Sequence, residues 1–343
     1  MAQTIELGLG TFGDVTAGPG GALLSHAAVI RNVVAEGVLA DEVGVDVFAV
    51  GEHHRRDFAV SAPEPILAAI AARTRRIRLA SAVTVLSSDD PIRVFQRFST
   101  IDAISNGRAE VILGRGSFTE SFPLFGFPLN RYEELFEDKL DLFAALLPGE
   151  PVTWEGSTRP PLTDQGVYPP VEHGRLRAAI GVGGSPESVV RAARYDMPMI
   201  LAIIGGDPKR FRPYVDLYHR AFAQLGRPVP PIGVHSPGFV AETDDAARET
   251  FFPAYKVMHD QIGSERGWPP LERDSFEREI SRGSLYVGSP ETVAAKIAST
   301  CRALGVSRFE LKYSAGPLPH EHMMHAIELY GRRVAPMVRE LLS

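Results

Sequence analysis

One alternation constrains this chain more than any other feature. Eight times a short run rich in Val, Ile and Leu gives way to a longer segment with apolar residues at three- and four-residue spacing. The runs fall at 5–9, 46–50, 77–86, 109–113, 178–182, 198–203, 233–240 and 308–313. The segments with helical spacing fall at 27–43, 64–73, 90–105, 132–147, 186–195, 208–225, 244–263 and 290–304, and a last one at 320–341 closes the chain. Continuous apolar strands separated by helices are what a parallel sheet covered by helices requires. Eight such units predict a (β/α)8 TIM barrel, in which function sits at the carboxyl ends of the strands. A doubly wound sheet in two domains is the competing arrangement, but no stretch rich in Gly, Ser or charge divides the 343 residues, so residues 1–343 read as one domain. Insertions are expected after the fourth and seventh strands. "GRGSFTESFPLFGFPLNR" after the fourth and "PGEPVTWEGSTRPPLTDQGVYPP" before the fifth are long enough to wall a site.

Composition excludes several classes of partner. A formal charge of −6 offers no bias toward nucleic acid or anionic membranes, which reward clustered Lys and Arg. No apolar stretch approaches the roughly 20 residues a membrane helix needs, and "MAQTIELGLG" enters a strand pattern without a basic leader, so a cytoplasmic protein is expected. The single cysteine, Cys301, lies in the helical pattern "PETVAAKIASTCRALG" and reads as a buried, inert thiol.

The second run ends abruptly in "VFAVGEHHRRDF", which brings Glu52, His53 and His54 to the functional rim. Such a pair can simply hydrogen-bond a loop. It can also bind metal, although Arg115, Gly183, Gly184, His235 and Lys312 at the other strand ends supply few ligands for one. A third reading is general acid–base work, since an imidazole titrates near pH 6.5. In "IGVGGSPESVVRAA", Gly183 and Gly184 permit close approach to the backbone, and Ser185 and Pro186 suit the N-cap and first turn of a helix. Unpaired amides at such a terminus favour a phosphate, and the same pattern also describes an ordinary βα turn. Arg115, between two glycines at the end of the fourth strand, is placed to reach the same anion.

The segments "GVDVFAVGEHHRRDF", "RIRLASAVTVLSSDDPIRVFQRFSTIDAISNGRAEVILGRGSFTESFPLFG", "GVGGSPESVVRAARYDMPMILAII" and "YVGSPETVAAKIASTCRALGVSRFELKYSAG" together resemble the bacterial luciferase-like family of flavin-dependent monooxygenases. The likeness spans nearly the whole chain. It implies a TIM barrel that uses reduced FMN and dioxygen to oxidise an organic substrate, with the reduced flavin delivered by a separate NAD(P)H:flavin reductase. By position, His53 matches the catalytic histidine and Glu52 the acidic residue at the site. Ala82 and Val83 fall at a non-prolyl cis peptide behind the flavin ring. Arg115 matches a phosphate-binding arginine, and Gly183, Gly184, Ser185 and Glu187 fall on the phosphate loop.

The match loosens at that loop. Relatives carry acidic and hydroxyl side chains at Gly183 and Gly184, a threonine at Glu187 and a second phosphate arginine at Glu133. Glutamate cannot neutralise phosphate, which leaves Arg131 or the Gly183–Ser185 amides to take over. Gly114 stands in place of a cysteine at the reactive face, leaving more room there and arguing against light emission. A deazaflavin enzyme that transfers hydride, and a flavin carrier without turnover, are the alternatives. An apolar pocket is expected from "SFTESFPLFGF", Phe12, Phe58, Ile203 and Ile204. The resemblance further implies a homodimer paired through the helices in "APEPILAAIAARTRR" and "DDPIRVFQRFSTIDAIS".

Overall fold

The first strand shows how the interior is arranged. In the computed structural model, which describes residues 5–172 and 174–343, Leu7 and Leu9 are fully buried among the surrounding helices. The alternate residues, Glu6, Gly8 and Gly10, turn the other way, as period-two side-chain geometry requires.

Strands β1 (Glu6–Thr11), β2 (Val47–Val50), β3 (Arg78–Ser81), β4 (Ala109–Gly114), β5 (Arg177–Val182), β6 (Met199–Ala202), β7 (Ile232–Val240) and β8 (Arg308–Lys312) pair in parallel, in chain order. Pairing of Glu6 with Arg308 closes the ring. The result is a closed eight-stranded barrel in a single α/β domain, as the alternation predicted. Eight principal helices surround it: α1 (His26–Glu42), α2 (Pro63–Ala71), α3 (Pro91–Ser105), α4 (Tyr132–Leu146), α5 (Pro186–Arg194), α6 (Arg212–Leu225), α7 (Asp244–Arg266) and α8 (Pro290–Leu304). Several start on side-chain caps: Asp90 accepts from the Ile92 and Arg93 amides, and Ser185 from that of Ser188. Helical chain from His320 to Leu342 closes the protein. No helix among the described residues is long and apolar enough to cross a membrane.

Three local readings change. The run at 77–86 is interrupted: the Ala82–Val83 peptide is cis, and the chain re-pairs only at Thr84–Val85, against Leu113 and Gly114. The excursion before β5 forms an antiparallel hairpin, Val152–Trp154 with Leu162–Gln165, and Trp154 donates to Asp141 on α4. That hairpin lies outside the catalytic cavity, so it is no wall of the site. After β7, α7 runs into a further helix, Arg273–Ser281, and a short strand, Tyr286–Gly288, which pairs with β7. The site takes its wall from α7 and the turn after it, as described below, and not from this further helix and strand.

The barrel interior is mixed. Val47, Ala49, Ala80, Ile112, Ala179 and Ile200 form a small apolar cluster inside it. Beside them Arg308 donates through Nε to Glu310 (2.7 Å) and through Nη1 to Glu110 (2.7 and 2.9 Å), all three being buried. Glycines make this possible. A Cβ on Gly8 would lie 2.9 Å from Glu310 Cγ, and one on Gly233 2.5 Å from Ile200 Cδ1. Burial pushes the Glu310 pKa up, but Arg308 and His235 outweigh it and hold it down to about 2. Its contribution to stability is therefore present above pH ~4.5 and lost as pH falls toward 2. Replacing Arg308 with Met leaves Glu110 and Glu310 buried beside a vacated cation site. The expected loss is about 3–5 kcal/mol in urea unfolding at pH 7; a loss below about 1 kcal/mol would mean the ladder is not structural.

Candidate active site

The chain leaves β2 through Gly51, where only glycine fits: a Cβ would sit 2.4 Å from Phe12 Cδ1 and 2.5 Å from the Ala82 carbonyl oxygen. His53 follows, its backbone amide donating to the Val60 carbonyl (2.9 Å). Its imidazole lies edge-on to three rings, with centroids 4.7 Å from Phe12, 4.5 Å from Phe58 and 4.8 Å from Phe118. Burial drives its pKa down, aided by Lys312 and Arg55 and opposed by Asp14, to about 3. This corrects the reading of His53 as a base titrating near pH 6.5. The ring is neutral at physiological pH, able to donate or accept a hydrogen bond but a much weaker base than free imidazole.

Glu52, expected as the acidic residue at the site, has a buried carboxylate 3.6 Å from His54 Nε2, while the His54 ring stands edge-on to Phe125. The carboxylate that acts on His53 electrostatically is Asp14, which sequence reasoning missed. Asp14 is buried just past β1, receives Lys312 Nζ at both oxygens (3.0 Å each), and accepts from Ser314 Oγ (2.6 Å) and the Gly316 amide (3.0 Å). Its only sequence signal was an acid after "GTFG" at a strand end.

Phe12, Phe58, Phe118 and Ile204 line a cavity of about 160 Å³ with His53, as expected of them, whereas Ile203 points into the outer core. From the loop after β4 only Ser117 and Phe118 reach the cavity; Phe122 is core, and Leu124 and Phe125 are exposed. The opposite wall comes from Tyr255, Met258, His259 and Ile262 of α7, with Arg266 and Trp268 at its end. Those residues were illegible because a cavity stripe on a helix has the same spacing as a core stripe. No acidic side chain lines the cavity. Phe118 is clamped in place between Arg55 (4.5 Å) and Arg266 (4.9 Å), and Arg55 also binds Glu120 of the same loop and Glu265 of α7.

The cis Ala82–Val83 peptide lies between this rim and the ends of β4 and β5. Val83 fills the space expected to be left by Gly114: a Cβ there would be 2.6 Å from Val83 Cγ2, and one on Gly181 2.9 Å from Val83 Cγ1. The glycine therefore accommodates the valine and leaves no extra room.

The anion-binding residues are close together but rearranged. Gly183 faces open space, Gly184 has φ +102°, and Ser185 caps α5, with Glu187 exposed in its first turn. Arg115 is not free: it pairs with Glu133 and lies over the Tyr132 ring (5.1 Å). Arg131, the expected substitute, pairs with Glu134 at the surface. A different cation, Arg191 of α5, reaches Glu133 (3.5 Å) and Glu137 (2.5 Å) and stands 3.5 Å from Ser188 Oγ. The donor set, two guanidiniums with a glycine loop and a capped helix start, fits a phosphate, and Val83, seated against Gly114 and Gly181, offers an apolar face for a planar ring.

Comparison with known proteins shows the family and the fold. The profile of the luciferase-like monooxygenase family matches residues 10–308, and the chain belongs to that family. Among curated relatives, the alkanal monooxygenase alpha chain of Photobacterium leiognathi is 22% identical, covering 92% of this chain and 95% of its own. Others are matched over 25% to 83% of their length. A monooxygenase from Streptomyces bottropensis superposes with a TM-score of 0.84 at 23% identity, covering 97% of this chain and 99% of its own. The oxygenating constituent of 3,6-diketocamphane monooxygenase of Pseudomonas putida, solved with FMN, gives 0.76 at 20% identity and covers 97% and 98%. The fold is also shared by the coenzyme F420 dependent tetrahydromethanopterin reductase of Methanopyrus kandleri (0.69, 18%, covering 97% and 99%).

Two outcomes follow from the site. Because His53 is depressed, the folded state disfavours its protonation: stability is full above pH ~6.5 and declines as pH falls toward 3. His53→Gln should remove part of that decline, so the urea midpoint of the variant drops less than the wild type's between pH 7 and pH 4.5. Gly114→Ala should cost about 1–3 kcal/mol by forcing Val83 aside, with a matching loss of thermal stability; an unchanged melting temperature would show that the valine yields freely.

Proposed function

We propose that the protein is a two-component monooxygenase that uses reduced FMN, supplied by a separate NAD(P)H:flavin reductase, and dioxygen to oxidise a small, predominantly apolar organic molecule. Family membership supports monooxygenase chemistry, and one observation carries the finer reading. Gly51 packs between Phe12 of the His53 cavity and the Ala82 carbonyl of the cis peptide, and the same barrel rim carries Arg115 and the start of α5. When bound there, reduced FMN supplies the electrons and the site at which oxygen is activated.

The chain's own residues do the rest. Amides at the start of α5 and the Arg115 and Arg191 guanidiniums hold the phosphate. Val83, seated against Gly114 and Gly181, supports the ring. Phe12, Phe58 and Phe118 exclude water from the reacting face, which lowers the local dielectric. Neutral His53 offers one ring nitrogen as donor and the other as acceptor, so it positions a proton at the reacting atoms without carrying charge. Lys312 keeps its charge compensated by Asp14 and leaves the cavity without a net anion to repel an electron-rich substrate.

Hydride transfer with a deazaflavin such as coenzyme F420 is the second reading. Arg191 and Arg194 do add cations near Arg115, but both are paired with Glu137, which favours a short phosphate over a long polyanionic tail. We read the whole chain as one cytoplasmic barrel domain that forms a homodimer through α2 and α3. In the single chain Ile66, Leu67, Ile70, Phe95 and Phe98 of those helices are already buried, so pairing would use residues such as Pro65 and Ala69.

The test is to bind FMN, reduce it anaerobically and admit air. Bound flavin should reoxidise more slowly than free flavin, and His53→Ala should leave FMN affinity within about twofold while suppressing oxidation of an aliphatic aldehyde or cyclic ketone by roughly 10²–10⁴-fold. Failure to bind FMN in either redox state, or reoxidation at the rate of free flavin, defeats the proposal. Equal loss of binding in His53→Ala removes the role assigned to that residue.

A further inference from the structure

Glu133 occupies an unusual position. It lies in the first turn of α4, its side chain is 62% exposed, and its carboxylate bridges two arginines: Oε1 meets Arg115 Nη1 and Oε2 lies 3.5 Å from Arg191 Nη2. Each arginine also has a contact other than Glu133. Arg115 is stacked over Tyr132 at 5.1 Å, while Arg191, only 10% exposed, lies 5.2 Å from the Phe136 ring centroid and donates through Nε to Glu137 at 2.5 Å. Ring stacking and a separate ion pair thus hold both guanidiniums in a preorganised fork. The glutamate that joins them sits on an exposed helical turn, where a rotamer change costs little.

From this geometry we infer that Glu133 is an internal stand-in for the cofactor phosphate: its carboxylate holds Arg115 and Arg191 together until a phosphate displaces it, and Arg191 is the second phosphate-binding cation. The inference rests on the flavin reading above and adds to it the role of Glu133. Charge balance supports it. Arg115 pairs with Glu133, and Arg191 with both Glu133 and Glu137, while Glu187 lines the same pocket as Arg191 and Arg194. Once Glu133 swings out to water, Arg115 loses its carboxylate partner and Arg191 one of its two, which leaves guanidinium donors for a phosphate. The exchange also weakens binding, because a bound carboxylate must be displaced and then stays nearby as a like charge. A flavin held this way exchanges readily, as a cosubstrate delivered by another protein must.

The full-length protein is titrated with oxidised FMN and, separately, with riboflavin, which lacks the phosphate, following quenching of flavin fluorescence. Glu133→Gln should tighten FMN by about 3- to 10-fold, the range of an exposed ion-pair competition, and leave riboflavin within twofold. Arg191→Gln should weaken FMN by at least about tenfold, the loss of one charge-assisted contact, again without moving riboflavin. Inorganic phosphate should compete with FMN more effectively in Glu133→Gln than in the wild type, which gives a second readout on the same variant. The inference is overturned if Glu133→Gln weakens FMN, or if either substitution shifts FMN and riboflavin equally, because the effect is then on the fold or the ring site. If the wild type binds neither flavin, oxidised or reduced, the functional reading falls and this inference with it. FMN binding that Glu133→Gln leaves unchanged sinks this inference alone.

Discussion

The arginine inside the barrel is the constraint on which the rest of this structure depends. Arg308 joins Glu110 of β4 to Glu310 of its own strand, across an interior whose remaining layer is apolar. Two carboxylates brought out of water repel each other and lose hydration, and that guanidinium is the cation they share, with Arg78 a further 3.3 Å partner of Glu110. The ladder needs volume, and Gly8 and Gly233 provide it by omitting side chains where Glu310 and Ile200 must pass. Higher in the same strand register, Gly10 gives way to His235, which faces Glu310 at 3.4 Å, and Lys312 reaches Asp14. Polar groups thus run along the barrel axis from its base to the rim where the cavity opens.

That axis explains the electrostatics of the site. His53 sits above it in a ring of phenylalanines, near the ammonium of Lys312 and the guanidinium of Arg55, and both disfavour a second positive charge. Asp14 tempers the effect but is committed to Lys312, Ser314 and Gly316. The imidazole therefore works neutral, and the cavity stays without acidic groups. Closure over it comes from opposite sides of the rim, since Arg55 ties the loop after β4 to the end of α7 and stacks on Phe118.

Legibility differed with the kind of interaction involved. All eight barrel strands were readable because buried parallel strands demand continuous apolar runs, and α5 was readable because Ser185 and Pro186 carry local capping chemistry. His53, Phe12, Phe58 and Ile204 were placed correctly at the cavity from their position at strand ends. The α7 wall was not, because Met258 and Ile262 on a helix look the same whether they face a core or a ligand. Asp14, Arg191 and the Arg55 latch were missed because each is defined by partners far away in sequence. The pairing of Arg115 was hidden for the same reason: its partner Glu133 lies eighteen residues on, where the resemblance implies an arginine.

What the sequence by itself determined was periodicity and local chemistry: which segments are strands, which are helices, where they are capped, and hence which residues reach the functional rim. What only the tertiary structure decided was pairing and environment. Whether Glu52 serves His53 or His54, whether Gly114 opens space or receives Val83, which cation meets Glu133 and how basic His53 is all depend on distances of a few ångströms between segments brought together by barrel closure. Coulombic and desolvation energies vary steeply over that range, whereas the apolar pattern that builds the barrel tolerates such shifts and so leaves them unwritten.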